Sequence, residues 1–151
     1  MYFGDAYLFQ GVGEETQKKI FEAAREESHP QRDFLFRQGD PARNLYILME
    51  GRVRMSVGPQ ELLAHVASDS GDVIGWSSLM ETNSYTASAE CLVPVKVLRI
   101  ASSHLDQILQ QDPASGMIFF KHLAALISRR LVKCYKATLS VQGEREPHSY
   151  G

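Results

Sequence analysis

The run Gly71-Asp72-Val73-Ile74-Gly75-Trp76-Ser77-Ser78-Leu79-Met80, followed by Tyr85-Thr86-Ala87-Ser88-Ala89, is where residue types and spacing could do chemistry. It reads as a strand end, a glycine turn, one short helical turn and a returning strand. Such a turn points backbone N–H groups outward, an arrangement that suits a phosphate or another anion. Hydroxyls of Ser77, Ser78, Ser84, Thr86 and Ser88 collect around it, and Ile74 and Ala87 supply apolar lining. No Arg or Lys stands between Gly71 and Leu92, so the cradle has no cation of its own. Gly75 lies where backbone comes close to a ligand or to a neighbouring strand. Trp76, the only tryptophan, is either a plug in the pocket or a stacking face for an aromatic ligand.

Other chemistry is thin. His29, His65, His104, His122 and His148 are scattered without metal-ligand spacing, and Cys91 and Cys134 fit neither a zinc nor an iron–sulfur pattern. A single His or Cys leaves haem ligation open. Neither a Gly-x-Ser-x-Gly elbow nor a phosphate-binding P-loop motif occurs. The chain reads as a non-enzyme with no certain cofactor, and a small molecule or nucleotide as its possible ligand.

The elements that must position the glycine run follow from periodicity. Glu14 to Glu27 has helical spacing, with Ile20, Phe21 and Ala24 on one face and Leu8 and Phe9 packing back as a staple. From Ser28 to Ile100 the texture is short segments punctuated by Gly, Pro, Asn and Asp. Strands are expected at 33–37, 44–50, 52–57, 62–67, 85–92 and 95–100. Their near-regular spacing with glycine turns predicts a small antiparallel barrel or jelly roll. Gly39, Gly51 and Gly71 mark its corners.

After Ile100 the period becomes helical. Ser102 or Ser103 caps a short helix through Gln111, and Asp112-Pro113 caps and opens a second helix running to about Val141. That helix would be roughly 40 Å long. Its length is explained by a coiled-coil seam: Met117, Ala124 and Leu131 recur every seven residues, as do Phe120, Ile127 and Cys134 three positions on, with Thr138 and Val141 continuing the two rows. A second stripe, Phe119, Leu123 and Leu126, lies beside it, so that one stripe can pack on the barrel while the other meets a partner, or both pack within one chain. A homodimer through the long helix is therefore expected.

With 151 residues, 44% of them apolar, and a net charge of −2, the chain fits one globular domain and not a broad nucleic-acid-binding surface. Residues 1–141 form the domain, with the barrel over about 28–100 and the helices over about 102–141; residues 142–151 are expected to be a flexible tail. No signal peptide or membrane span is seen, and two unpaired cysteines favour the cytoplasm.

The order helix, short strands, short helix, long helix resembles the cyclic nucleotide-binding domain, and more particularly the sensor domain of catabolite-activator and FNR-type regulators. The resemblance is carried by Leu8-Phe9, Gly39-Asp40, Leu45-Tyr46-Ile47-Leu48, Glu50-Gly51-Arg52-Val53 and Gly71-Asp72-Val73-Ile74-Gly75, with Ser103-His104-Leu105 through Leu109 and Arg129-Arg130-Leu131 further on. It implies a double-stranded β-helix (jelly-roll) barrel, mainly β with flanking helices, plus a long C-terminal dimerisation helix. It also implies that Gly71 to Leu79 is a phosphate-binding cassette.

In relatives that bind cyclic AMP or cyclic GMP, a Glu after the cassette glycine bonds the ribose and an Arg about ten residues on pairs with the phosphate. Trp76 and Thr86 stand at those places. A charge-assisted bond is worth roughly 1.5–3 kcal/mol, so losing two anchors weakens binding on the order of 10²–10⁴-fold. A standard cyclic AMP site is not expected. Tyr135 on the long helix stands where the family meets the nucleotide base, and caps a ligand or packs on the barrel. The Arg129, Arg130, Lys133, Lys136 cluster reads as a solvated helix face.

Three functions compete. One is a sensor module that passes ligand binding to a protein partner. Another is a ligand-free dimerisation or docking module. The third is a DNA-binding regulator, disfavoured because the helix-turn-helix domain of such regulators has no counterpart here, so no DNA binding by this chain alone is expected.

Overall fold

The computed structural model describes residues 6–145, with side chains through residue 141. A 3₁₀ turn, Tyr7–Phe9, leads into α1 (Glu14–Ala23). Eight strands follow: β1 (Arg25–His29), β2 (Phe34–Phe36), β3 (Asn44–Glu50), β4 (Val53–Val57), β5 (Leu62–Ala67), β6 (Val73–Ile74), β7 (Ser88–Cys91) and β8 (Val95–Ala101). A second 3₁₀ turn, Trp76–Leu79, separates β6 from β7, and α2 (Ser102–Gln111) and α3 (Pro113–Arg145) close the chain.

The strands form two four-stranded sheets, ordered β1-β8-β3-β6 and β2-β7-β4-β5, with antiparallel pairing throughout. This is jelly-roll order, and the expected barrel is an open sandwich of two sheets. Leu48, Val53, Ala89, Cys91 and Val97 fill the space between them. A second core joins the other side of the β3–β8 sheet to the helices through Leu8, Phe9, Ile20, Leu45, Ile100 and Phe119. Strand β8 serves both cores: Val95 and Val97 lie in the inter-sheet core and Leu98 and Ile100 in the helix-side core, with Lys96 and Arg99 less buried.

Several sequence expectations are corrected. Helix α1 ends at Ala23, not Glu27, because Ala24 is already extended (φ −80°, ψ 150°) and Arg25–His29 pairs with β8. Arg99 Nε donates to Glu27 Oε1 at 2.6 Å, and Lys96 lies 3.7 Å from Glu26. Charges that read as one side of a helix are those of a sheet edge, where they also discourage pairing with another chain. Phe21, placed on the buried face, is 55% exposed. Strand β7 is shorter than 85–92, since Tyr85 leaves the ladder to stack on Phe36. Neither Ser102 nor Ser103 caps α2: Ala101 holds the cap position, and Ser102 Oγ donates to the Arg43 carbonyl at 3.0 Å.

The start of α3 agrees with the sequence reading. Asp112 Oδ1 accepts from the Ser115 N–H at 3.3 Å, and Asp112 Oδ2 accepts from Thr16 Oγ1 at 2.6 Å. The same carboxylate thus caps α3 and ties it to α1. Helix α3 continues through Arg145, so residues 142–145 are helix and not tail; residues 146–151, like residues 1–5, lie outside the described residues. Phe119 and Leu123 are fully buried, with Leu126 packed against them. Of the expected seam, Met117, Phe120, Ala124, Leu131 and Cys134 face solvent, but Ile127 is half-buried and packs on the core.

Candidate functional site

Strand β6 is two buried residues, Val73 and Ile74, paired with Ile47 and Tyr46 of β3. Asp72 fixes the turn before it by accepting the N–H groups of Ser68 and Asp69 at 3.1 and 3.0 Å. Gly75 then turns the chain with φ +83°, a conformation that favours glycine. A Cβ there would meet the Asn44 carbonyl at 3.1 Å, Tyr85 at 3.2 Å and Phe36 at 3.3 Å. Packing alone accounts for this glycine, whether or not a ligand approaches it. Tyr85 and Phe36 stack at 3.6 Å between centroids, and the Tyr85 hydroxyl donates to the Asn44 carbonyl at 2.7 Å. Burial pushes the Tyr85 phenol up from its ordinary value.

In front of Gly75 is a cavity of about 170 Å³. Gly75, Trp76, Ser77, Thr86 and Ala87 from the expected site line it. Ser77 Oγ and Thr86 Oγ1 are 3.3 Å apart, so the two hydroxyls form one polar edge. The other expected residues fall elsewhere. Ile74 is buried in the inter-sheet core, and Ser78 is buried beneath the 3₁₀ turn with its Oγ lacking a partner among the described residues. Ser88 Oγ accepts from the Gln38 N–H at 2.9 Å. Tyr135 is 57% exposed and does not line the cavity.

Sequence reasoning missed the opposite wall. Phe36, Met55, Val57, Ala64 and His65 come from the second sheet, and Arg130 comes from α3. The Arg130 guanidinium carbon sits 4.1 Å from the centre of the Trp76 ring, a cation–π stack. Burial lowers its pKa to about 10, partly offset by Asp72, so it stays charged at neutral pH. The cradle without a cation therefore has one, delivered from 54 residues downstream of Trp76 by the helix expected to dimerise. A signal existed: positions 119, 123 and 126 of the buried stripe continue to 130 at helical spacing, and the residue there is charged.

His65 is the second polar group of that wall. Its Nδ1 is buried and has no hydrogen-bond partner among the described residues. Burial, with Arg130 and Lys133 nearby, lowers its pKa to about 4 against the pull of Asp72, so the ring is neutral at physiological pH. Nothing in the pattern of β5 marks it, since the strand runs from exposed at Leu62 to buried at Ala67 without alternation.

A larger hollow of about 470 Å³ lies between the end of α1, the β1–β8 edge and α2. It holds none of the cassette residues, and its Arg99 is already paired with Glu27. Among the described residues no group of three His, Cys, Asp or Glu side chains could hold a metal, and no helix is long and apolar enough to cross a membrane.

The jelly roll, the cassette turn and the long helix across its mouth define the class. The family model for the cyclic nucleotide-binding domain matches residues 26–112, and the chain belongs to that family. It is 27% identical over 127 residues to the "Cyclic AMP receptor protein" of Thermus thermophilus, covering 82% of this chain and 56% of the relative, and so spans only about half the relative's length. Among solved structures, the N-terminal domain of a transcriptional regulator from Streptomyces coelicolor matches with TM-score 0.68 and 25% identity over 99% of this chain and 98% of the other. The sensor domain of the transcriptional regulator DNR from Pseudomonas aeruginosa shares the fold, with TM-score 0.71 and 20% identity over 85% and 87% of the two chains.

Proposed function

We propose that this chain is a non-enzymatic sensor module that takes a small anionic ligand other than cyclic AMP in its usual mode. The Arg130 side chain over Trp76 is the observation that carries this reading. The charge-reading group sits on α3, the output element, and not in the cassette. Ligand charge that draws the guanidinium from the indole would be felt directly by the helix. Such a device works only if the ligand prefers one of the two arrangements.

Trp76 and Thr86, standing where the family's ribose and phosphate anchors would be, support the non-standard ligand. So does size: about 170 Å³ is below the roughly 300 Å³ at which small-molecule pockets usually begin. The exposed face of α3, with Leu131, Val132, Tyr135 and Leu139, supports a homodimer as the receiver of the signal. One buried and one exposed free cysteine fit a reducing compartment such as the cytoplasm. The small volume also favours a second reading, in which the Arg130–Trp76 stack fills the pocket and the module docks partners without a ligand.

Thermal unfolding with a panel of cyclic nucleotides and small organic anions separates the two. A ligand at about a hundred times its Kd adds about 2.7 kcal/mol of stability. The sensor reading expects stabilisation by an anion and not by cyclic AMP. It also expects Trp76→Glu with Thr86→Arg to gain cyclic AMP binding. No stabilisation by any anion would leave the docking reading.

A further inference from the structure

The size and lining of the cavity narrow the ligand further. An engineered apolar cavity of ~150 Å³ holds benzene, and this one is close to that at about 170 Å³. Its walls are aromatic and apolar: Phe36, Tyr85 and Trp76 with Met55 and Val57. Polar groups break that lining at two places, the Ser77 and Thr86 hydroxyls along one edge and the Arg130 guanidinium from α3. We infer that the cavity takes a single-ring aromatic anion, its ring among the aromatic walls and its charge on Arg130. This rests on the sensor reading and names its ligand class.

Calorimetric titration of the full chain with benzoate, benzyl alcohol and cyclic AMP tests this. Benzoate is expected to bind at about millimolar Kd or tighter, and benzyl alcohol at least about tenfold more weakly. Arg130→Gln should bring benzoate down to the level of the alcohol. The ratio of benzoate to benzyl alcohol is read on the unaltered chain and stands even if a variant fails to fold. Equal affinity for the two overturns the charge contact. Binding of a larger anion but not benzoate overturns the single-ring ligand and leaves the sensor reading standing. Binding of no anion overturns both.

Discussion

At the scale of residues, the cavity in front of Gly75 is lined by groups that sequence distance hides. Gly75 was legible as a place of close approach, and a Cβ there would meet the Asn44 carbonyl at 3.1 Å; its φ of +83° is a further demand that the sequence did not mark. Trp76 was legible as a wall, though not as half of a stack. His65 was illegible: its neighbours along β5 carry no alternation, and its surroundings are made by α3 and the turn at Asp72. That burial has a consequence in the empty protein. The folded state holds the His65 pKa near 4, against 6.5 for a free imidazole, so between those values the unfolded chain binds a proton that the folded chain does not. Stability is therefore lost as pH falls from about 6.5 to about 4. In denaturant titrations across that window, His65→Gln should show a shallower loss than the unaltered chain.

Elements were legible where their own residues set the period. Strands β3, β4, β5 and β8 stand within a residue of expectation, because apolar positions and glycine turns bound them locally. Strand β1 was read as helix because Arg25-Glu26-Glu27-Ser28-His29 is polar, and the charges that answer it, Lys96 and Arg99, lie about seventy residues away. The junction of α2 and α3 was legible from Asp112-Pro113, but its second duty was not. Thr16 Oγ1 donates to Asp112, and the Gly13 N–H donates to Ser115 Oγ at 3.0 Å, so the start of α1 is pinned to the start of α3. These hydrogen bonds, from Ser115 and then Thr16, hold the Asp112 carboxyl below its ordinary value. Its contribution is present above the ordinary carboxylate pKa and is lost as pH falls through the lowered one. Asp112→Ala should lower the melting temperature near neutral pH, and the difference from the unaltered chain should shrink in acid.

The whole molecule is a jelly-roll sandwich crossed by one long helix, and α3 belongs to both the pocket and the outer surface. One face buries Phe119 and Leu123 and then presents Arg130 to the cavity. The other leaves Met117, 63% exposed, and Leu131, 49% exposed, facing solvent. About 33 residues of helix span roughly 50 Å, and from Leu131 to Val141 every side chain is exposed. An apolar stripe on an unsupported helix is stabilised by a second copy. Leu131→Glu places a charge on that stripe without touching the core, and should convert a dimer to a monomer by light scattering. An unchanged mass would remove the dimer from the account. The family was legible from its separated glycine turns; the source of the cation was not, because only the folded helix brings residue 130 to residue 76.

Trp76 is the only tryptophan, so its fluorescence reports directly on the Arg130 stack. Titrating the full chain with benzoate, with cyclic AMP alongside, is the most direct test of charge reading by α3. A saturable change in Trp76 emission with benzoate is expected, moved to at least about tenfold higher benzoate in Arg130→Gln and absent with cyclic AMP. No change with either anion, or the same titration in Arg130→Gln as in the unaltered chain, would contradict charge reading by α3.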